Sequence, residues 1–247
     1  PVYAFEMDQP EAFDPVETFV KTTFTTRDSA SGKWQALRLF QQVLAHHRTD
    51  KDPAALVDAD LQRLQFAKTN SVLPDKNNLY ERAIEDLLKK TYDHPINPEV
   101  VHALARHLVE MYYSDQENDA LKSNLKRAYT LCEDAAKRHP NTPGAVYCRQ
   151  TMRELSTPSI QSKIEEVNLP GEAILVSVPF RNVKGLFMRV VKLPTDPGFL
   201  DTLTWENRPY YFKSLPAVQN RTWNLPDPGD YREHTTEIAL DALPLGS

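Results

Sequence analysis

The chain has 247 residues, a formal net charge of −5, and 40% hydrophobic against 26% charged side chains. That length suits one large domain or two ordinary ones, and the apolar share is enough for a real core and too high for a disordered chain. The near-neutral balance argues against a nucleic-acid partner, and no run approaches the about 18 apolar residues of a membrane span. The chain starts at Pro1 with no charged-then-apolar targeting pattern, as expected of a piece of a longer polypeptide.

Backbone punctuation divides the sequence near Pro158. Residues 1–157 hold two of the seven glycines and nine of the nineteen prolines; the remaining ninety positions hold five and ten. Few turns per residue predict long helices, and many predict short strands. The expected fold class is therefore α+β and multidomain: an α-helical, repeat-like domain over 1–157 and an antiparallel β-sandwich over 158–247.

Residues 1–70 are irregular, with a helical period around Leu37–Leu44 and Val57–Leu64. Asp52 and Asp75 suit helix caps, and Pro53 and Pro98 suit first-turn positions. Cleaner stripes follow. Tyr80, Ala83, Ile84, Leu87, Leu88 and Thr91 form one, and Val101, Leu104, Ala105, Leu108 and Tyr112 a second. Leu121, Leu125, Ala128, Tyr129, Cys132 and Ala136 form a third, each predicting an amphipathic helix. A repeat runs through them. Arg82-Ala83 and Arg127-Ala128 lie 45 positions apart, as do the His-Pro-x-x-Pro turns at His94–Pro98 and His139–Pro143. The first proline of each turn ends one helix and the second starts another, which predicts stacked helix hairpins resembling tetratricopeptide repeats in architecture, though with a longer period.

Beyond Pro158, Ile174, Val176, Val178 and Phe180 alternate with their neighbours, as do Leu186, Met188 and Val190, and Ile238 and Leu240. Period two with one apolar face predicts antiparallel strands. Asn182–Gly185 reads as a hairpin connection between the first two strands, and Ile160–Val167 as one more strand. A proline- and aromatic-rich insertion occupies about 194–230, too long for a plain loop.

No catalytic constellation emerges. The seven histidines show no metal-ligand spacing, and they read as surface or helix-end residues. His94 and His139 suit bonding to free helix-end carbonyls. Nucleophile elbow and phosphate loop are both missing. Acidic pairs such as Asp58/Asp60 and Glu165/Glu166 read as solvated faces. Catalytic, cofactor-binding and metal residues are accordingly not assigned. Cys132 and Cys148 flank the second turn at similar distances, and two readings stay open: buried free thiols, or a disulfide stapling the hairpin. The rings of Phe199, Trp205, Tyr210, Tyr211, Phe212 and Trp223 read either as local core or as a carbohydrate-stacking platform.

Phe180-Arg181-Asn182-Val183, then Leu186–Val190 and Lys192-Leu193, resembles the first strand pair of a macroglobulin domain in bacterial alpha-2-macroglobulin family proteins, particularly the large Bacteroidetes ones. Asp230-Tyr231, His234–Ile238 and Leu243-Pro244-Leu245-Gly246 are similar to a later strand and turn of that domain. Ala128–Glu133, His139-Pro140, Gly144-Ala145 and Cys148 look like the helical region before it. The resemblance covers roughly 80–247. It implies an N-terminal scaffold segment of a very large cell-envelope protein whose whole is a broad-range protease trap, with proteases as partners of that whole and further domains after Ser247. Some relatives carry an internal thioester, whose Cys-x-x-Gln type of motif neither Cys132 nor Cys148 matches. Bait regions are not recognisable either. Macroglobulin domains continue beyond the Leu-Pro-x-Gly turn, so the sandwich is expected to be cut short with an open edge. The alternative expectation is a surface adaptor, helical repeats plus a sandwich module, binding glycan or peptide.

Overall fold

The structure, a computed structural model, describes residues 4–165, 168–193 and 202–243. The chain is α+β and divides into two compact units, Pro1–Leu155 and Ser156–Ser247.

The first unit is helical. Its opening segment holds a 3-10 turn at Pro10–Phe13 and the short α1 (Val16–Phe19), followed by α2 (Gly32–His47) and α3 (Ala54–Asn70). Next come α4 (Lys76–Lys90), α5 (Asn97–Ser114), α6 (Asn124–Arg138) and α7 (Pro143–Ser156). Leu121 falls in a separate 3-10 turn before α6, not on the α6 stripe. The capping expectations divide. Asp52 Oδ1 accepts the Ala54 amide at 2.9 Å, whereas the Asp75 side chain caps nothing.

The irregular first seventy residues are held by polar pins where the apolar period is weak. Arg63, 1% exposed, donates Nε to Asp60 at 2.8 Å and Nη1 to the Ala12 carbonyl at 2.8 Å, with its guanidinium 4.4 Å from the Phe19 ring. Gln41 Nε2 donates to Phe19 O and Thr22 O, and Ser71 Oγ donates to Met7 O. Burial raises the Asp60 pKa against the pull of Arg63, and burial lowers that of Arg63 against the pull of Asp60. This pair ties the opening segment to α3.

The two His-Pro-x-x-Pro turns each join a pair of helices, α4 to α5 and α6 to α7. Leu104, Ala105 and Leu108 of α5 and Leu125, Ala128 and Cys132 of α6 are all buried. Asn97 locks the first turn, donating to Leu88 O and Thr91 Oγ1, both at 3.2 Å. Thr142 locks the second, donating to His139 O and accepting from Ala145 N. The two histidines do not bond their own helix-end carbonyls as expected. His94 Nδ1 accepts from Ile96 N, and the His139 ring lies 3.4 Å from Tyr92 O. At the end of α4 the Leu87 and Leu88 carbonyls accept instead from Thr91 Oγ1, at 2.9 and 3.4 Å. The start of α7 comes so near α5 that a Cβ on Gly144 would lie 2.4 Å from Glu99 N, so only glycine fits.

The second unit holds two small antiparallel sheets. In the first, β3 (Ile174–Arg181) is central: β6 (His234–Leu240) pairs along its length, from Ile174 opposite Leu240 to Phe180 opposite His234. The short β1 (Ser159–Ile160) and β2 (Lys163–Ile164) pair with β3 as well. The second sheet is β4 (Gly185–Val191) with β5 (Ala217–Asn224), bulged between Val190 and Val191. Two expectations need correction. Asn182–Gly185 does not close a hairpin, because β3 and β4 belong to different sheets. Asn182 takes a positive φ of 54°, which turns the chain out of one sheet and into the other. The stretch treated as an insertion supplies β5, the partner strand of β4, and the seven-residue α8 (Arg208–Ser214). Ile174, Val176, Val178, Ile238 and Leu240 form the buried core, with Leu186, Met188, Val190, Trp223 and Leu243 packed against it. Pro244, Leu245, Gly246 and the expected chain-end edge lie outside the described residues, as do Glu166 and Phe199.

Candidate functional site

A groove of about 750 Å³ opens on the helical unit, with walls from α3 and α5. Glu99, His102, Ala103, Arg106 and Glu110 recur at helical spacing, so α5 presents one stripe to it. From α3 come Leu61, Gln65, Phe66 and Lys68, with Phe40 of α2 and Tyr147 of α7 adding rings.

The chemistry of the groove concentrates around Tyr80 of α4. Lys68, 6% exposed, lies with Nζ 4.9 Å from the Tyr80 ring centre and 2.6 Å from Glu110 Oε2. On the other side of that ion pair the Glu110 side chain is 63% exposed. The His107 ring centre lies 5.0 Å from that of Tyr80, and its side chain has no solvent exposure. Neither imidazole nitrogen has a hydrogen-bond partner; Nε2 is 3.7 Å from Glu81 Oε2, too far for one. Glu81 is bonded instead to Arg127 at 2.6 Å, and Arg127 also reaches Glu85.

Burial sets the protonation states. It pushes the Tyr80 hydroxyl up to about 12, helped by the Glu110 charge. It lowers His107 to about 4, reinforced by Lys68, so the imidazole is neutral at pH 7. His102 is lowered in the same way and stacks 5.4 Å from Tyr147. His107 corrects the reading of the histidines as surface or helix-end residues. It sits one turn beyond Leu104, on the buried face of α5.

The Lys68 ammonium is tied to a carboxylate, and the imidazole lines the groove without solvent exposure. Serine and cysteine are not among the groove-lining residues. Of the acidic pairs read from sequence, Asp58 accepts from Gln62 on the surface, while Asp60 is buried against Arg63. Cys132 and Cys148 are free and buried, and the neighbouring Cys148 thiol together with burial pushes the Cys132 thiol up. Cys148 Sγ donates to Pro98 O at 3.4 Å. Among the described residues no group of three His, Cys, Asp or Glu is placed to hold a metal ion.

The aromatic residues of the second unit divide. Trp223 packs on the core, whereas Trp205 is 84% and Tyr210 75% exposed, on a shallow surface shared with Pro209 and Lys213. Arg208 lies over the Trp205 ring at 5.2 Å. No protein-family model, curated protein or solved structure matches the chain.

The sequence held a signal for buried charge. Asp60, Arg63 and Lys68 stand at buried positions of α3 alongside Val57, Leu64 and Ala67, and Lys68 is the one of the three that lines this groove. Charges on an apolar stripe mark places where burial is paid back by a specific partner.

Proposed function

We propose that this chain is a non-catalytic scaffold segment of a large alpha-2-macroglobulin-like protein, whose whole traps proteases in the cell envelope. The observation that carries the reading is where the resembling residues fall. Phe180-Arg181, Leu186–Val190 and His234–Ile238 lie in β3, β4 and β6, which share one apolar core. In this reading the two sheets are the layers of a macroglobulin-type sandwich, and the helix hairpins before them are a tetratricopeptide-like stack serving as a spacer. The test is made on the full-length protein. After incubation with an endopeptidase, the protease is expected to keep cleaving a short peptide substrate and to lose activity on a large protein substrate. The 247-residue chain alone is expected to leave both activities unchanged. Stoichiometric inhibition by the isolated chain, or no trapping by the whole protein, would sink the reading.

The exposure of Trp205 and Tyr210 favours a second reading, a surface adaptor that stacks glycan or peptide on these rings. Titrating cell-wall glycan fragments and watching tryptophan emission separates the two. A saturable change lost in Trp205→Ala supports the adaptor, and a flat response supports the scaffold.

A further inference from the structure

Lys68 is a buried cation with an exposed partner. Its ammonium sits over the Tyr80 ring, 6% exposed, and the carboxylate it is bonded to belongs to a long side chain that is 63% in solvent. An ammonium taken out of water needs a nearby negative charge, but nothing in this arrangement requires that charge to be Glu110. One turn back on α5 stands His107, fully covered, with both ring nitrogens unbonded. A buried polar side chain with no partner is uncommon in a folded protein and calls for a reason. Both groups line one groove, whose walls add the apolar surfaces of Phe40, Phe66 and Tyr147 and, at the rim, the 60% exposed Arg106.

We propose that the groove is a binding site for a carboxylate borne on an apolar body, which displaces Glu110 from Lys68 and accepts the N–H of His107. Glu110 then occupies the site in the free protein as an internal stand-in for the ligand and swings into solvent on binding. The ligand brings the same charge that Glu110 removes, so the buried ammonium is never left bare. The apolar body fills the space between the aromatic walls. Two sources share this chemistry: the free carboxyl end of a peptide, and a small aliphatic or aromatic acid. The proposal is independent of the macroglobulin reading, because it concerns only the helical unit.

Calorimetry on the full chain with two probes tests it. One is phenylpropionate, and the other is a short peptide ending in an apolar residue, in free-acid and carboxamide forms. Glu110→Ala is expected to bind at least one of the acids about tenfold more tightly than the unaltered chain, because the competing carboxylate is gone. Lys68→Met is expected to lose binding by about tenfold or more. Glu110 is exposed, so its variant keeps the test open even if Lys68→Met fails to fold. The His107 ring resonances are expected to shift on binding. Binding of the small acid alone identifies a small-molecule site. Binding of the free-acid peptide and not its carboxamide identifies a peptide end. Equal affinity for acid and carboxamide, or no binding of either acid by Glu110→Ala, overturns the proposal.

Discussion

The two units solve the burial of polar groups in opposite ways. In the helical unit, charges go inside: Asp60 pairs with Arg63 in the interior, and the buried Lys68 ammonium reaches the exposed carboxylate of Glu110. In the strand unit the core is apolar, with Val178, Phe180 and Ile238 among its buried residues, and the Arg221–Asp241 ion pair stays in water. A buried pair contributes little net stability while intact but is costly to break, whereas an exposed pair is worth little either way. Substitutions of one chemical kind should therefore act very differently in the two units.

The sharpest contrast comes from Arg63→Met. It leaves the Asp60 carboxylate buried without its partner and frees the Ala12 carbonyl, and should cost about 4 kcal/mol in urea unfolding of the chain. Adding Asp60→Leu should recover most of that loss; a single variant near zero would break the comparison. Next comes acid. The His107 imidazole titrates at about 4 folded and near 6.5 unfolded, so between those values the unfolded chain binds the extra proton. Its contribution is complete above pH about 6.5 and is lost as the pH falls towards 4, by about 3 kcal/mol in all. Unfolding midpoints measured across that window should fall steeply in the native chain and more gently in His107→Gln. Gly144→Ala follows, at about 2 kcal/mol, since the added methyl meets backbone and the helices must part. Arg221→Ala in the strand unit should change stability by less than about 1 kcal/mol. Smallest of all, reducing agent should leave the unfolding midpoint unchanged, and alkylation in denaturant without reductant should add a label at both Cys132 and Cys148. A mass two hydrogens lighter, with neither thiol labelled, would reinstate the disulfide.

How far the sequence was legible follows the same divide. The helices α4, α5 and α6 announced themselves because apolar residues recur at helical spacing along their buried faces. The opening segment did not, because Arg63, Gln41 and Ser71 hold it through carbonyls, and a hydrogen bond to a distant carbonyl leaves no periodic trace. Strands β3 and β6 were readable from alternation. β5 was hidden, since Gln219 and Trp223 face inward among exposed polar neighbours, so no apolar period was there to find. The hairpin between β3 and β4 misled for a related reason: adjacency in sequence suggested pairing, while the positive φ at Asn182 sends the chain to another sheet. The groove was invisible as a place but not as a set of residues, because Lys68 and His107 stand where leucine would be expected.

The second copy of the repeat reaches back to the first through arginines. Arg127 bonds Glu81 and Glu85, and Arg138 bonds Tyr92 O and Asn97 Oδ1. On the ribosome the Glu81 and Glu85 carboxylates of α4 therefore emerge roughly forty residues ahead of the guanidinium that bonds both. A nascent chain paused between the copies leaves Glu81 and Glu85 without that partner, and these bonds close only once α6 has been made.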